Sequence, residues 1–201
     1  MIKLNSKDYQ IYFTSDLHLG HDKEFVWKER GFDSIASHTN ACFDSLSSIS
    51  GSRSILFNLG DACLTSNHAD NFERLSSIDF LSHYFVNGNH NSPARQMQAK
   101  GEKSFHHIQF LGDYEEISID KQRIILSHFP FLSWNDMRNG SWHLHGHEHG
   151  QLKASLPDNK DGKRLDVGVD VALKYGGKFF LTWEDVCEIM NEKNKERIGH
   201  H

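Results

Sequence analysis

Carboxylate, imidazole and carboxamide side chains recur at the ends of apolar runs in five segments: Asp16-Leu17-His18, Gly60-Asp61, Gly88-Asn89-His90, His128 and Gly146-His147-Glu148-His149. Nitrogen and oxygen donors without a thiolate suit paired transition metals doing hydrolysis better than structural zinc. Each segment alone has an ordinary reading. Asp after Gly is a common cap or turn residue, Asn89 fits a turn, and a lone histidine after an apolar strand is most often a polar terminus. Five in series at strand ends describe one site assembled by a sheet. Asp16 and His18 are two apart, as are His147 and His149, so an extended chain turns each pair to one side. Asp61 has two oxygens with which to bridge two cations. Asn89 is a neutral ligand for a site that limits its negative charge, and His90 then lies at the rim, free to meet substrate. Cys63 reads as a packed thiol, and His145 as a hydrogen-bond partner behind the ligands.

The elements that must position these residues follow from periodicity and turn residues. Strands are predicted at Tyr9–Ser15, Ser54–Leu59, His83–Asn87, Tyr114–Ile119, Gln122–Ser127, Trp142–His145 and Arg164–Val169. Asp120-Lys121 reads as a hairpin turn without the usual glycine. Helical patterns cover Asp33–Ser48 and Asn71–Ser77, and a last helix starts after Thr182 with Asp185 completing a capping box. Strand and helix alternate in the first half, predicting a partly parallel sheet with crossovers. The second half is mostly strands, as for a second sheet packed on the first.

The chain has 201 residues, which favours a single domain spanning residues 1–201. A formal charge of -5 argues against broad binding to duplex nucleic acid. No apolar stretch reaches membrane-spanning length and no signal pattern opens the chain. Three cysteines without a CxxC favour a reducing cytosol over a disulfide framework. Of the fifteen histidines, His200 and His201 close the chain and could be a tag remnant.

Taken in order, the five segments resemble the metallophosphoesterase superfamily, the calcineurin-like phosphoesterases, whose pattern runs DxH, GD, GNH, H, GHxH. The likeness spans Asp16 to His149. It is closer still to small stand-alone bacterial and phage members, which share Ser15-Asp16-Leu17-His18-Leu19-Gly20-His21 and Asp166-Val167-Gly168-Val169-Asp170. The resemblance implies a four-layer αββα sandwich of two mixed sheets flanked by helices. It implies one metal on Asp16, His18 and His149, a second on Asn89, His128 and His147, and Asp61 between them. Mn²⁺, Fe or Zn²⁺ all suit such ligands. It implies hydrolysis of phosphate mono- or diesters by a hydroxide shared between the ions, with His90 assisting the leaving group. Two ions carry four positive charges against two from Asp16 and Asp61 and one from hydroxide, so the residual charge attracts phosphate.

Two departures narrow the reading. Asn91 stands where many members carry an acidic residue that orients the catalytic histidine, and the Asp-Arg-Gly of protein phosphatases is missing after Gly60-Asp61. Phosphoprotein phosphatase is therefore discounted. His21 either reaches substrate phosphate or packs locally. Arg95, Arg138 and Lys163 either bind substrate or are solvated charge, and Trp27, Trp134 and Trp142 either stack a base or pack in the core. The expected substrate is small and phosphorylated, of nucleotide type. The rival readings are a nuclease acting on nucleic-acid ends and a non-catalytic scaffold on the same fold.

Overall fold

Side-chain alternation along the central strands decides the layering. In β3 (Gly51–Asn58), Ile55 and Phe57 face one way and Leu56 the other, and all three are buried. A strand covered on both faces needs a layer on each side. The computed structural model describes residues 1–63, 68–90, 107–152 and 162–193. Arg95, Asn91, His200 and His201 lie outside these residues.

One sheet has the order β10-β2-β3-β4-β5. Its strands β2 (Gln10–Thr14), β3, β4 (Phe80–Val86) and β5 (Ile108–Gly112) run parallel, and β10 (Leu181–Thr182) is antiparallel to β2. The second has the order β1-β6-β7-β8-β9. Here β1 (Ile2–Leu4) pairs parallel with β6 (Tyr114–Ile119), β6 antiparallel with β7 (Gln122–Ser127), and β7, β8 (Trp142–His145) and β9 (Arg164–Asp166) run parallel. The helices are α1 (Glu24–Glu29), α2 (Ile35–Ser47), α3 (His68–Ser76), α4 (Val169–Gly176) and α5 (Trp183–Glu192). Two mixed sheets flanked by helices form the expected αββα sandwich. No helix among the described residues is long and apolar enough to cross a membrane.

The core between the sheets joins Ile11, Phe13, Ile55, Phe57 and Val86 to Ile117, Ile119, Ile124, Leu126 and Leu144. Register puts Phe13, Phe57 and Tyr84 abreast on neighbouring strands. Their rings stack at 5.4 and 4.9 Å, within the range of favourable aromatic pairs. On the far side of the first sheet, Leu56 and Phe85 pack under Cys42, Phe43 and Leu46 of α2 and Phe72 and Leu75 of α3. Outside the second sheet, Ile125 packs with Trp134 and Met137. Of the three tryptophans open to stacking or packing, Trp134 and Trp142 are core residues, 9% and 7% exposed, and Trp27 is half-buried.

Local signals held where they were strong. Thr182 and Asp185 form the predicted capping box at the start of α5. Asp120 and Lys121 turn the β6–β7 hairpin with both φ positive, 50° and 70°, as a two-residue turn of this hand requires. The predicted strand Arg164–Val169 stops at Asp166, because its carboxylate accepts the Gly168 N–H at 2.8 Å and turns the chain into α4. The edge strands β1 and β10, three and two residues long, are too short for a periodic signal.

His83 in β4 is wholly buried against Phe80 and Phe85, and neither ring nitrogen has a hydrogen-bond partner. Burial pushes its pKa down to about 3. Burial likewise holds His143 near 3 and His38 near 4. The unfolded chain takes up these protons near pH 6.5 and the folded chain does not, so stability falls as pH drops from about 6.5 toward 4. His83→Leu removes two unpaired polar atoms at similar volume. It should raise unfolding free energy by about 1 kcal/mol at pH 7 and by more at pH 5, read from urea melts at both pH values.

Candidate metal centre

The five segments follow the carboxyl ends of β2, β3, β4, β7 and β8, so both sheets deliver them to one end of the sandwich. The strands stop short of the ligands, and the pairs do not converge by extended alternation. Asp16, His18, Asp61, His147 and His149 all have left-handed backbones, with φ of 58°, 50°, 50°, 72° and 50°. Asp and His tolerate this region better than most side chains, yet each such residue costs of order 1 kcal/mol. Hydrogen bonds between loops hold the conformation. Asp16 and His18 donate their N–H groups to Gly60 and Asp61 carbonyls at 3.0 Å, extending the β2–β3 pairing past the strands, and Gly146 N–H donates to His128 O.

Two glycines are required by close approach. A Cβ on Gly88 would sit 2.1 Å from Asp61 Oδ1, and one on Gly146 would sit 2.0 Å from Ser15 Oγ and 2.4 Å from Asp16 Oδ2. The backbone at these points is packed directly against the carboxylates.

The first group of donors is Asp16, His18 and His149, whose ligand atoms lie within 4.8 Å of one another. His18 Nε2 and His149 Nε2 face each other at 3.4 Å, and Asp16 Oδ1 is 3.8 Å from the former. His149 donates Nδ1–H to Asp170 Oδ2 at 2.6 Å, so its Nε2 presents a lone pair when the ring is neutral. Asp16 Oδ2 accepts His147 N–H at 2.9 Å, whereas Oδ1 is buried with no hydrogen-bond partner. Burial and the nearby Arg30 charge hold His18 well below the ordinary imidazole range, which keeps it neutral. An orphaned carboxylate oxygen beside two inward-facing imidazole nitrogens is what a cation would satisfy.

The second group is Asp16, Asp61 and His128. His128 donates Nδ1–H to Leu59 O at 2.8 Å, leaving Nε2 as an acceptor 3.5 Å from Asp61 Oδ2. Asn89 Oδ1 lies 2.8 Å from that same Nε2 and 3.0 Å from His147 Nδ1. A carbonyl oxygen at this distance from an imidazole lone pair is repelled unless a proton or a cation lies between. Burial would raise the Asp61 pKa, but the His128 bond and charge outweigh it and hold it below the usual range. The structure thus brings five of the seven expected ligands into two groups, each able to chelate a divalent ion, consistent with a dinuclear centre, and places Asn89 beside His128 and His147. Asp16 is the carboxylate common to both.

His90 is exposed beside the donors, its N–H bonded to Asp61 Oδ1 at 2.9 Å and its ring 6.3 Å from that of His18. His21 is also brought there, its ring edge-on to His18 at 5.6 Å. Arg138 is not. It lies on a 3-10 turn (Met137–Asn139) at the amino end of β8, opposite the ligand-bearing end. Cys63 is packed in the core, its thiol pushed up to about 12 by burial. His145 bonds the Gly146 carbonyl at 2.8 Å behind the ligand loop.

Sequence reasoning missed the support behind His149. Asp170 is gripped by Arg30 through Nε at 3.0 Å and Nη2 at 2.8 Å. The same guanidinium donates to the Asp16 carbonyl at 2.9 Å and the Leu17 carbonyl at 3.3 Å, and its side chain is 1% exposed. Burial opposes ionisation of Asp170, but the bonds from His149 and Arg30 prevail and hold its pKa far down. One cation therefore orients a histidine of the first group and the backbone carrying its carboxylate. Asp166 adds a second tie, accepting Gly150 N–H at 2.8 Å and fixing the far end of the histidine loop. The Asp166–Asp170 motif was the only trace of this in the sequence, and nothing distinguished Arg30 from its charged helix.

No protein-family model matches the chain. It is 26% identical to uncharacterized protein MJ1445 of Methanocaldococcus jannaschii over 163 residues, 81% of this chain and 82% of that one. Among solved structures it is similar to the protein of unknown function AQ665 from Aquifex aeolicus, with a TM-score of 0.63, 16% identity, and coverage of 90% and 99% of the two chains. A novel archaeal phosphodiesterase aligns with a TM-score of 0.45 and 15% identity over 79% of this chain and 83% of that chain. The Aquifex likeness is one of fold alone.

Asp170→Asn keeps the shape but weakens the hold on His149. Loss of such a supporting partner lowers metal affinity about 10- to 100-fold. Calorimetric titration with Mn²⁺ or Zn²⁺ should show this loss in one of two sites, and the metal-free protein should melt at a lower temperature because Arg30 is left buried without its counter-charge.

Proposed function

We propose that the chain is a dinuclear-metal hydrolase of phosphate esters of the calcineurin-like phosphoesterase type, acting on a small, nucleotide-like substrate. The observation that carries this reading is the meeting of two donor groups through the shared Asp16 carboxylate, with an exposed histidine at their rim. Bound divalent ions would supply positive charge for phosphate oxygens and lower the pKa of a water molecule.

The protein's own part is positioning. Asp61 commits Oδ1 to the His90 N–H and keeps Oδ2 for the ions. Its charge acts on His18 in the first group and on His128 in the second, which suits the bridging role. Asp16, His18 and His149 would hold one ion, and Asn89, His128 and His147 would hold the other. Two carboxylates and one carboxamide leave the loaded centre cationic, so it draws phosphate in rather than repelling it. His90 hangs from the backbone that touches Asp61, so it is placed to donate a proton to the departing oxygen. His21, 5.6 Å from His18, is placed to meet a phosphate oxygen on the other flank. The three cysteines are unpaired, which suits a reducing cytosol.

Bis-p-nitrophenyl phosphate or p-nitrophenyl phosphate should be hydrolysed in the presence of Mn²⁺ and spared after chelation. His90→Asn should lower kcat by about 10² to 10⁴ while the protein still binds two ions. Silence toward both substrates by a protein carrying two ions would select the scaffold reading instead.

A further inference from the structure

A cleft of about 520 Å³ opens between α1, α4 and the Gly146–Gly150 loop. His147 and His149 form part of its wall, so the side chains that carry ligand atoms also border this space. Its volume is that of a small-molecule site. Three features of its lining restrict what it can hold.

First, Phe25 on α1 lines the cleft although it is 63% exposed, and its ring meets His21 at 5.9 Å. A large apolar ring kept in water beside a reactive centre offers a flat face to a ligand. Second, the charges are unbalanced. Glu29, Glu148 and Lys174 line the cleft, and none makes an ion pair among the described residues. Asp170 also borders it, but Arg30 and His149 already occupy its oxygens. Two open carboxylates against one ammonium repel a second anionic group and accept hydrogen-bond donors. Third, Gln151 adds a neutral amide that can both give and accept.

We propose that this cleft receives the organic half of the substrate, and that this half is an uncharged ring bearing hydrogen-bond donors, as in an amino-substituted nucleobase, rather than a second phosphate. This rests on the phosphoesterase reading for its role in turnover, but not for binding. The ring lies on Phe25, its amino group donates to Glu148 or Glu29, and the phosphate end reaches the donor groups beside His147 and His149.

Adenosine, cytidine and uridine are the probes, titrated calorimetrically into the intact protein with bis-p-nitrophenyl phosphate hydrolysis measured in parallel. Adenosine and cytidine should bind more tightly than uridine, which has no amino group. Phe25→Ala and Glu148→Lys should each weaken adenosine about 3- to 10-fold, the range expected from losing a stacked ring or one hydrogen bond. Phe25 is exposed on α1, so its variant tests the cleft without risk to folding. If adenosine does not bind, or binds equally well to wild type and Phe25→Ala, the cleft assignment is wrong, whatever happens to the ester. If adenosine binding follows these expectations while no phosphate ester is cleaved, the cleft stands and the phosphoesterase reading fails.

Discussion

A neutral imidazole has one N–H and one lone pair, and in His128 and His149 the fold directs the N–H outward. Leu59 O and Asp170 receive those protons at 2.8 and 2.6 Å. The lone pairs must then turn inward, toward Asn89 Oδ1 and His18 Nε2. These two bonds hold the electron pairs together against their mutual repulsion. The Arg30–Asp170 pair restrains one imidazole from behind, and the backbone after β3 restrains the other.

The same constraint explains the local backbone. Five of the expected donor residues adopt left-handed φ, and glycines abut the carboxylates of Asp16 and Asp61. Neither feature favours folding on its own. The stacked aromatic core beneath, with Phe13, Phe57 and Tyr84 in register, supplies the rigidity that lets the loops hold these conformations. Loop-to-loop hydrogen bonds such as Val169 N–H to Ser15 O then carry that rigidity to the ligands.

Most of the candidate donor groups were legible because aspartate, asparagine and histidine after apolar runs are unusual in series. Strands β6, β7 and β8 matched their predicted spans, since alternation and turn residues agreed there. The geometry of the Asp16–His18 and His147–His149 pairs was misread as extended, because sequence spacing of two says nothing about the sign of φ. Arg30 was invisible for a different reason. It follows Lys28, Glu29 and other charges at the end of a short helix, and only the tertiary fold brings it to Asp170, 140 residues away. Arg138 looked eligible because it follows a ligand segment in the chain, yet the return path to β8 carries it to the far end of the sheet. Phe25 carried no signal at all, since an aromatic on a short helix is ordinarily a packing residue.

The donors come from both sheets and from points spread between Asp16 and His149, and the brace behind them is complete only at Asp170. During translation the amino-terminal half therefore emerges with two aspartates and a histidine but without a finished chelate. The first group cannot close until His149 has left the ribosome, and the second cannot close before His128. A cation held by the first group would therefore be a late addition, and it would fasten one sheet of the sandwich to the other.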